Sequence, residues 1–277
     1  MKFAFVTCVQ LGLSCIEKIY STGGKLDLLI TLHDHKAVNK SGRIYLDRFA
    51  SQHCVPLMKI NHVNDIALKN KLREIQIDYL FIIGWSQIAD SELINIARYG
   101  TFGIHPTLLP EGRGRASIPW AIIKGLQQTG VTMFRLDDGV DTGDIASQQV
   151  IPLEDSETAT TLYRKVNSAH EDLIAKVYRD MLSGRIELRK QDSSKATEWA
   201  GRTPADGEIF PDITTAEQAE RLIRATTHPY PGAYVRTADG KKIIWKAVFS
   251  RAEDAKNPLV LKDGVLDILD CEFCPCV

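Results

Sequence analysis

"DYLFIIGWSQI", residues 78–88, decides the fold. From Tyr79 to Ile83 every side chain is apolar, without alternation, and then Gly84 breaks the run. A strand apolar on both faces is buried on both faces, as in a parallel sheet covered by helices. Upstream, "NDIALKNKLREIQ" (64–76) opens on an Asn/Asp cap and continues at helical spacing. Further upstream, the strand-like runs "KFAFVTC" (2–8), "LDLLITLH" (26–33) and "VPLMKI" (55–60) alternate with helical "LGLSCIEKIYS" (11–21) and "RIYLDRFASQ" (43–52). Downstream, "SELINIARYG" (91–100) reads as a helix and "TFGIH" (101–105) as another strand. The alternation predicts an α/β fold with a mostly parallel, Rossmann-like sheet and helices on both faces.

The second half reads differently. "SIPWAIIKGL" (117–126) is a helix with Pro119 in its first turn, where a missing N–H costs nothing. "TGVTMFRLD" (129–137) and "IASQQVIPL" (145–153) are strands joined by the tight acidic loop "DGVDTGD". One long amphipathic helix follows within 156–184, stopped by Gly184. A polar stretch reads as a linker, and after it come one helix (215–227) and short strands turning at 237–242 and 261–265. The expected organisation is a catalytic domain over 1–185, a linker over 186–206 and a small, mainly β C-terminal domain over 207–277.

The 277 residues are 44% hydrophobic and 25% charged, with 34 Lys/Arg against 35 Asp/Glu, so no global field draws the chain to nucleic acid or membrane. No run approaches the roughly 18 apolar residues of a membrane span. The first residues read as a strand rather than a signal peptide, so a cytoplasmic location and reduced thiols are expected. Cys8, Cys15 and Cys54 sit in apolar patterns as small core residues. Cys271, Cys274 and Cys276 offer three thiolates with no nearby histidine, one ligand short of a structural zinc site, so no metal is expected.

Open α/β sheets bind ligands at the carboxyl ends of their strands. The turn after the first strand, "TCVQLGLS", lacks the glycines that a dinucleotide pyrophosphate needs, which argues against NAD. Attention falls instead on "GWSQI" (84–88) and on "GIHPTLLPEGRGR" (103–115), a stiff, cationic loop behind one histidine.

"HPTLLPEGRGRASIPWAIIKG" (105–125), followed by "TGVTMFRLDDGVDTGDI" (129–145), resembles the folate-dependent formyltransferases. "GRTPADGEI" (201–209) and "LIRATTHPYPGAYV" (222–235) are most similar to the nucleotide-sugar branch of that family. The resemblance covers roughly residues 78 to 235 and implies formyl transfer from 10-formyltetrahydrofolate, as cosubstrate, to an amine. Such a transfer passes through a tetrahedral carbon bearing an oxyanion, which needs a proton donor, while the attacking nitrogen needs a base.

By that resemblance His105 and Asp141 are the catalytic pair. His105 suits donation to the oxyanion, and Asp141 can orient it, hold a water or accept the amine's proton. Gly84, Trp85, Ser86, Gln87 and Ile88 would line the pterin pocket, with Asp137, Asp138 and Val140 completing its wall. Thr107, Arg113 and Arg115 fall where anionic substrate would pass. Arg202, Thr203, Pro204 and Asp206 form a loop that approaches substrate in the sugar branch, and Lys40, Ser41 and Arg43 could meet a diphosphate.

One position departs from the family pattern. Gly103 stands where the family carries an asparagine that donates to the formyl oxygen, a contact typically worth roughly 10²–10³ in rate. Ser86, Gln87 or a backbone N–H could substitute, or the enzyme could be slow. A non-catalytic folate-binding protein is the remaining alternative. The implied acceptor is a nucleotide-linked deoxyamino sugar, UDP-linked and 4-amino by first expectation, made for surface glycans. Methionyl-tRNA formyltransferase is the rival reading. From residue 200 to 272 ten Lys/Arg face twelve Asp/Glu, a poor match for a tRNA backbone. A homodimer is left open.

Overall fold

In a computed structural model of the chain, residues 1–36 and 42–275 are described. The order is β1 (Phe3–Val6), α1 (Gln10–Ser21), β2 (Leu28–Leu32), α2 (Asp47–Gln52), β3 (Leu57–Ile60), α3 (Ile66–Ile75), β4 (Tyr79–Ile82), α4 (Ser91–Ile94), β5 (Gly100–His105), β6 (Arg113–Gly114) and α5 (Ser117–Ile123). There follow β7 (Gln128–Arg135), β8 (Ile145–Pro152), α6 (Ala159–Leu182), β9 (Glu198–Trp199), α7 (Ala216–Thr226), β10 (Ala233–Thr237), β11 (Gly240–Ser250), β12 (Pro258–Leu261) and β13 (Gly264–Pro275).

The chain divides into two compact units. The first comprises Met1–Arg113, Gly130–Val150 and Val166–Thr197; the second comprises Gly114–Thr129, Ile151–Lys165 and the chain from Glu198 on. These borders differ from the expected 1–185, 186–206 and 207–277. α5 packs on α7, which draws residues 114–129 into the second unit. Backbone bonds between Arg189 and Ile145 and from the Arg113 N–H to the Thr197 carbonyl hold the supposed linker, as far as Thr197, to the first.

Seven strands form the main sheet in the order β3-β2-β1-β4-β5-β7-β8. From β3 to β5 all neighbours are parallel, and β7 runs antiparallel to β5. β1 shows why these strands are apolar throughout. Phe3 and Phe5 pack with Tyr79, Phe81, the α1 residues Cys15, Ile16 and Ile19, and Ile174 and Tyr178 of α6. Ala4 and Val6 turn the other way, to Leu28, Ile30, Leu80 and the α3 residues Leu68 and Leu72. Both faces are dry, so neither alternate position can be polar. The Phe3 ring stacks on Tyr79 at 5.4 Å between centroids and on Phe81 at 6.0 Å.

The expected helix over 91–100 is a single turn. Asp90 caps it by accepting from the Leu93 N–H at 2.9 Å. Thr101 Oγ1 then donates to the Ile94 carbonyl at 2.8 Å, and the Asn95 side chain returns to the Ser91 carbonyl. Thr101 thereby occupies the Ile94 carbonyl, which the next helical turn would use. Cys54, expected in the core, is exposed, with φ 52 in the turn that ends α2.

The second unit holds the four-stranded antiparallel sheet β10-β11-β13-β12. The α7 residues Ala216, Ala219 and Ile223 pack against Ala233, Ile244 and Leu266, and Thr215 with Gln218 closes a capping box at the helix start. Cys271 lies exposed on β13 with Cys274 partly covered, and Cys276 lies outside the described residues. Among the described residues no helix is long and apolar enough to cross a membrane.

Phe5 has no solvent exposure and touches the apolar cluster at the sheet's centre. Phe5→Ala should therefore destabilise the protein by about 3–5 kcal/mol in urea denaturation. A loss below about 1 kcal/mol would contradict this packing.

Candidate active site

β5 carries its own chemistry at its end. His105 is 7% exposed, and its Nε2 lies 2.8 Å from the Gly112 carbonyl. A carbonyl only accepts, so Nε2 carries the hydrogen and Nδ1 is the nitrogen left to act. Nδ1 faces Asp141 Oδ2 at 3.5 Å. Gly112 is itself fixed: its φ is +71, and its N–H donates to Thr197 Oγ1 at 2.8 Å.

Asp141 reaches His105 through a tightly folded loop. Asp137 Oδ1 accepts from the Gly139 N–H at 3.1 Å and from Thr142 Oγ1 at 2.6 Å, a local turn built by one carboxylate. A Cβ on Gly143 would lie 1.7 Å from the Arg135 carbonyl oxygen, so only glycine fits there. Asp141 has φ +56, a left-handed conformation that costs a non-glycine residue of order 1 kcal/mol or more. Asp138 accepts from Ser91 Oγ, and Val140 is exposed.

Residues 84–88 sit at the switch point between β1 and β4. Gly84 has φ +66, and a Cβ there would meet Val9 Cγ2 at 2.4 Å. Trp85 packs beside Cys8 and Leu32, and its buried indole N–H has no acceptor among the described residues. Gln87 bridges to the turn after β3, accepting from the Val63 N–H at 2.8 Å. Ser86 and Ile88 are exposed. Gly103 points its bare Cα toward Leu136: a Cβ would lie 3.0 Å from Leu136 Cδ2 and 3.6 Å from the Ile82 carbonyl.

The arginines are more committed than the sequence suggests. Arg43 donates to Thr31 Oγ1 and to the Leu32 carbonyl, pairs with Asp34 and stacks over Tyr45. Lys40 and Ser41 lie outside the described residues. Arg113 is buried and donates to Gln191 Oε1, while Arg115 is exposed. Thr107 is buried, with its carbonyl accepting from Thr132 Oγ1 at 2.7 Å and its own hydroxyl lacking a partner among the described residues.

In the second unit, Arg202 lies over the Trp120 ring at 4.9 Å and donates to the Asp206 carbonyl at 2.6 Å. Burial pushes this guanidinium below its ordinary value, with Asp206 opposing. Thr203 and Asp206 bond to each other in a capping box. Arg202, Thr203 and Pro204 line a mostly apolar cavity of about 130 Å³, with Pro119, Tyr230 and Pro231.

Sequence reasoning missed His170 and Gln191. His170 on α6 is fully buried, and its Nδ1 donates to the Val166 carbonyl at 2.8 Å. Burial first, and then the charge of His105, push it down to about 4, with the Val166 bond opposing. Gln191, in the polar stretch read as linker, donates from Nε2 to the carbonyls of Asp141 and Gly143. Neither carries a local sequence signal, because the partners of each lie on distant elements.

A profile of the formyl transferase family matches residues 28–178. The chain belongs to the formyl transferase family. The family is one of enzymes, so the non-catalytic alternative falls. The fold recurs in the N-formyltransferase from Helicobacter canadensis, solved with folinic acid and dTDP-3-aminofucose, at 18% identity and a TM-score of 0.74, covering 98% of this chain and 100% of that one. It recurs in WlaRD, a sugar 3N-formyltransferase solved with dTDP and 5-N-formyl-THF, at 19% identity, TM-score 0.72 and 98% of both chains. Methionyl-tRNA formyltransferase from Clostridium thermocellum shares the fold at 20% identity and TM-score 0.63, with both chains fully covered.

The buried His170 should make this formyltransferase acid-sensitive. Its folded value, about 4, lies below the ordinary 6.5, so the unfolded chain takes the proton more readily. The stability it contributes is complete above about pH 6.5 and is lost as pH falls toward 4, up to about 3 kcal/mol. Urea midpoints across this range should fall less steeply in His170→Gln than in the parent. Identical slopes would contradict the assignment.

Proposed function

We propose that the protein transfers the formyl group of 10-formyltetrahydrofolate to the amine of a nucleotide-linked deoxyamino sugar. The observation that carries this is the His105–Asp141 pair, with Nε2 of the imidazole tied to Gly112 and Nδ1 turned to the carboxylate. The reacting carbon needs a donor for its oxygen and an acceptor for the amine's proton. His105 Nδ1, when protonated, donates to that oxygen as the amine nitrogen bonds to the formyl carbon, and Asp141 takes up the proton that the nitrogen sheds. When the tetrahedral carbon collapses, the bond to folate N10 breaks and the departing N10 takes that proton.

The folate supplies an activated formyl group. Trp85, with an indole N–H that lacks an acceptor among the described residues, and Gly84, whose bare Cα packs against the Val9 side chain, suit a flat heteroaromatic ring bearing carbonyl and nitrogen acceptors. Asp137 and Asp138 shape the wall of the 137–144 loop through the bonds they make. The solved relatives with folinic acid or 5-N-formyl-THF support the same donor.

For the acceptor, the two sugar N-formyltransferases above carry thymidine nucleotides. A thymidine diphosphate carrier is therefore preferred to the uridine one first expected, and a 3-amino sugar stands beside the 4-amino one. Within the second unit, Arg115 and Arg202 supply positive charge for a diphosphate. The cavity beside Arg202, walled by Pro119, Tyr230 and Pro231, suits an apolar or aromatic part of such a ligand.

Turnover with dTDP- and UDP-linked 3-amino and 4-amino sugars, a free amino sugar and methionyl-tRNA tests the acceptor. One of the nucleotide sugars should be the best substrate; formylation of the tRNA alone would overturn the proposal. His105→Asn and Asp141→Asn should each lower kcat by roughly 10²–10⁴ while the fold remains. A near-normal kcat in either variant would remove that residue from the chemistry. Gly103→Asn should bring no gain in kcat, because Leu136 fills the space where its side chain would enter. A large gain would show that the site lacks a donor.

A further inference from the structure

The amide of Gln191 is saturated. Its Nε2 donates to the carbonyl oxygens of Asp141 and Gly143, both at 2.8 Å. Its Oε1 accepts from Arg113 Nη2 at 2.8 Å and from Arg113 Nε at 3.3 Å. A primary amide has two donor hydrogens and two acceptor lone pairs, and here each has a partner. A guanidinium only donates and a peptide carbonyl only accepts, so chemistry alone fixes which way the amide points. Arg113 is 8% exposed, so water cannot readily replace these bonds.

We infer that Gln191 is a positioning residue that holds the Asp141 turn in register with His105. The inference rests on the reading of His105 and Asp141 as the reacting pair. Asp141 is strained at φ +56 inside the turn that Asp137 braces, so keeping that strained residue against His105 calls for a further hold. Gln191 provides one on the carbonyls of Asp141 itself and of Gly143. On its other side the same amide grips Arg113, the neighbour of Gly112, whose carbonyl orients the imidazole. One side chain thus ties the mount of the histidine to the mount of the aspartate. A displacement of about 1 Å between reacting groups costs about 10²-fold in rate.

Substitution separates this role from bulk stability. Glutamate at 191 keeps an acceptor for Arg113 but turns a carboxylate oxygen toward two carbonyls, which should push the turn away. Alanine removes both sets of bonds. Tyr178→Phe serves as a control, since among the described residues the Tyr178 hydroxyl bonds to the Lys25 backbone alone, at 2.7 Å to its carbonyl and 3.0 Å to its N–H.

The experiment measures kcat and KM for folate and amino sugar on the full chain, with amide hydrogen exchange over residues 137–144. In Gln191→Glu and Gln191→Ala, kcat should fall about 10²-fold, both KM values should stay within about threefold, and exchange over 137–144 should quicken at least about tenfold. Tyr178→Phe should lower Tm without moving either readout. Unchanged exchange over 137–144 in Gln191→Glu, or faster exchange with an unchanged kcat, would overturn the inference. So would an equal loss of kcat in Tyr178→Phe at matched Tm. If the parent formylates no amine at all, the reaction reading fails, and the exchange result alone still decides whether Gln191 holds the turn.

Discussion

The hydrogen bond from His105 Nε2 to the Gly112 carbonyl governs the arrangement around it. It selects the tautomer, fixes the ring plane and leaves one nitrogen facing Asp141. Its geometry depends on Gly112 adopting φ +71 and on Thr197 holding the Gly112 N–H. It depends equally on β5, where His105 pairs with Thr132 of the antiparallel neighbour while Phe102 pairs with Arg135. Thr132 then fixes the loop from the side, donating to Thr107 and accepting from the Leu109 N–H. The sheet therefore supplies the imidazole with a rigid floor, and the loop supplies it with an orientation.

The sheet was legible because its physics is local. Five apolar residues in a row from Tyr79 to Ile83 admit few other interpretations, and the buried faces of β1 bear that out. The motifs pointed to His105 and Asp141, and the structure sets their side chains 3.5 Å apart. What escaped was everything decided at long range. The 91–100 segment has helical spacing, yet Thr101, a residue of the next strand, captures the carbonyl that the helix would need. The polar composition around Gln191 reads as linker, because nothing near it in the chain reveals partners 78 residues away on one side and 50 on the other.

Electrostatics in this molecule act through committed rather than free cations. The guanidinium groups of Arg43, Arg113 and Arg202 each bond to protein acceptors, and among the described residues those of Arg113 and Arg202 are neutral groups. A guanidinium bonded to an amide or a carbonyl keeps its full charge, so Arg113 and Arg202 still favour anions nearby.

The interval between Arg113 and Gln191 also has a temporal meaning. During synthesis, the strands that form the centre of the sheet, through β5, are complete long before residue 191 leaves the ribosome. Closing an interval of that length costs entropy that only finished native contacts offset. A chain stopped between α6 and Gln191 would hold the core strands and both members of the His105–Asp141 pair, but not the amide that ties the mount of one to the mount of the other. The sheet can thus be present before that tie is.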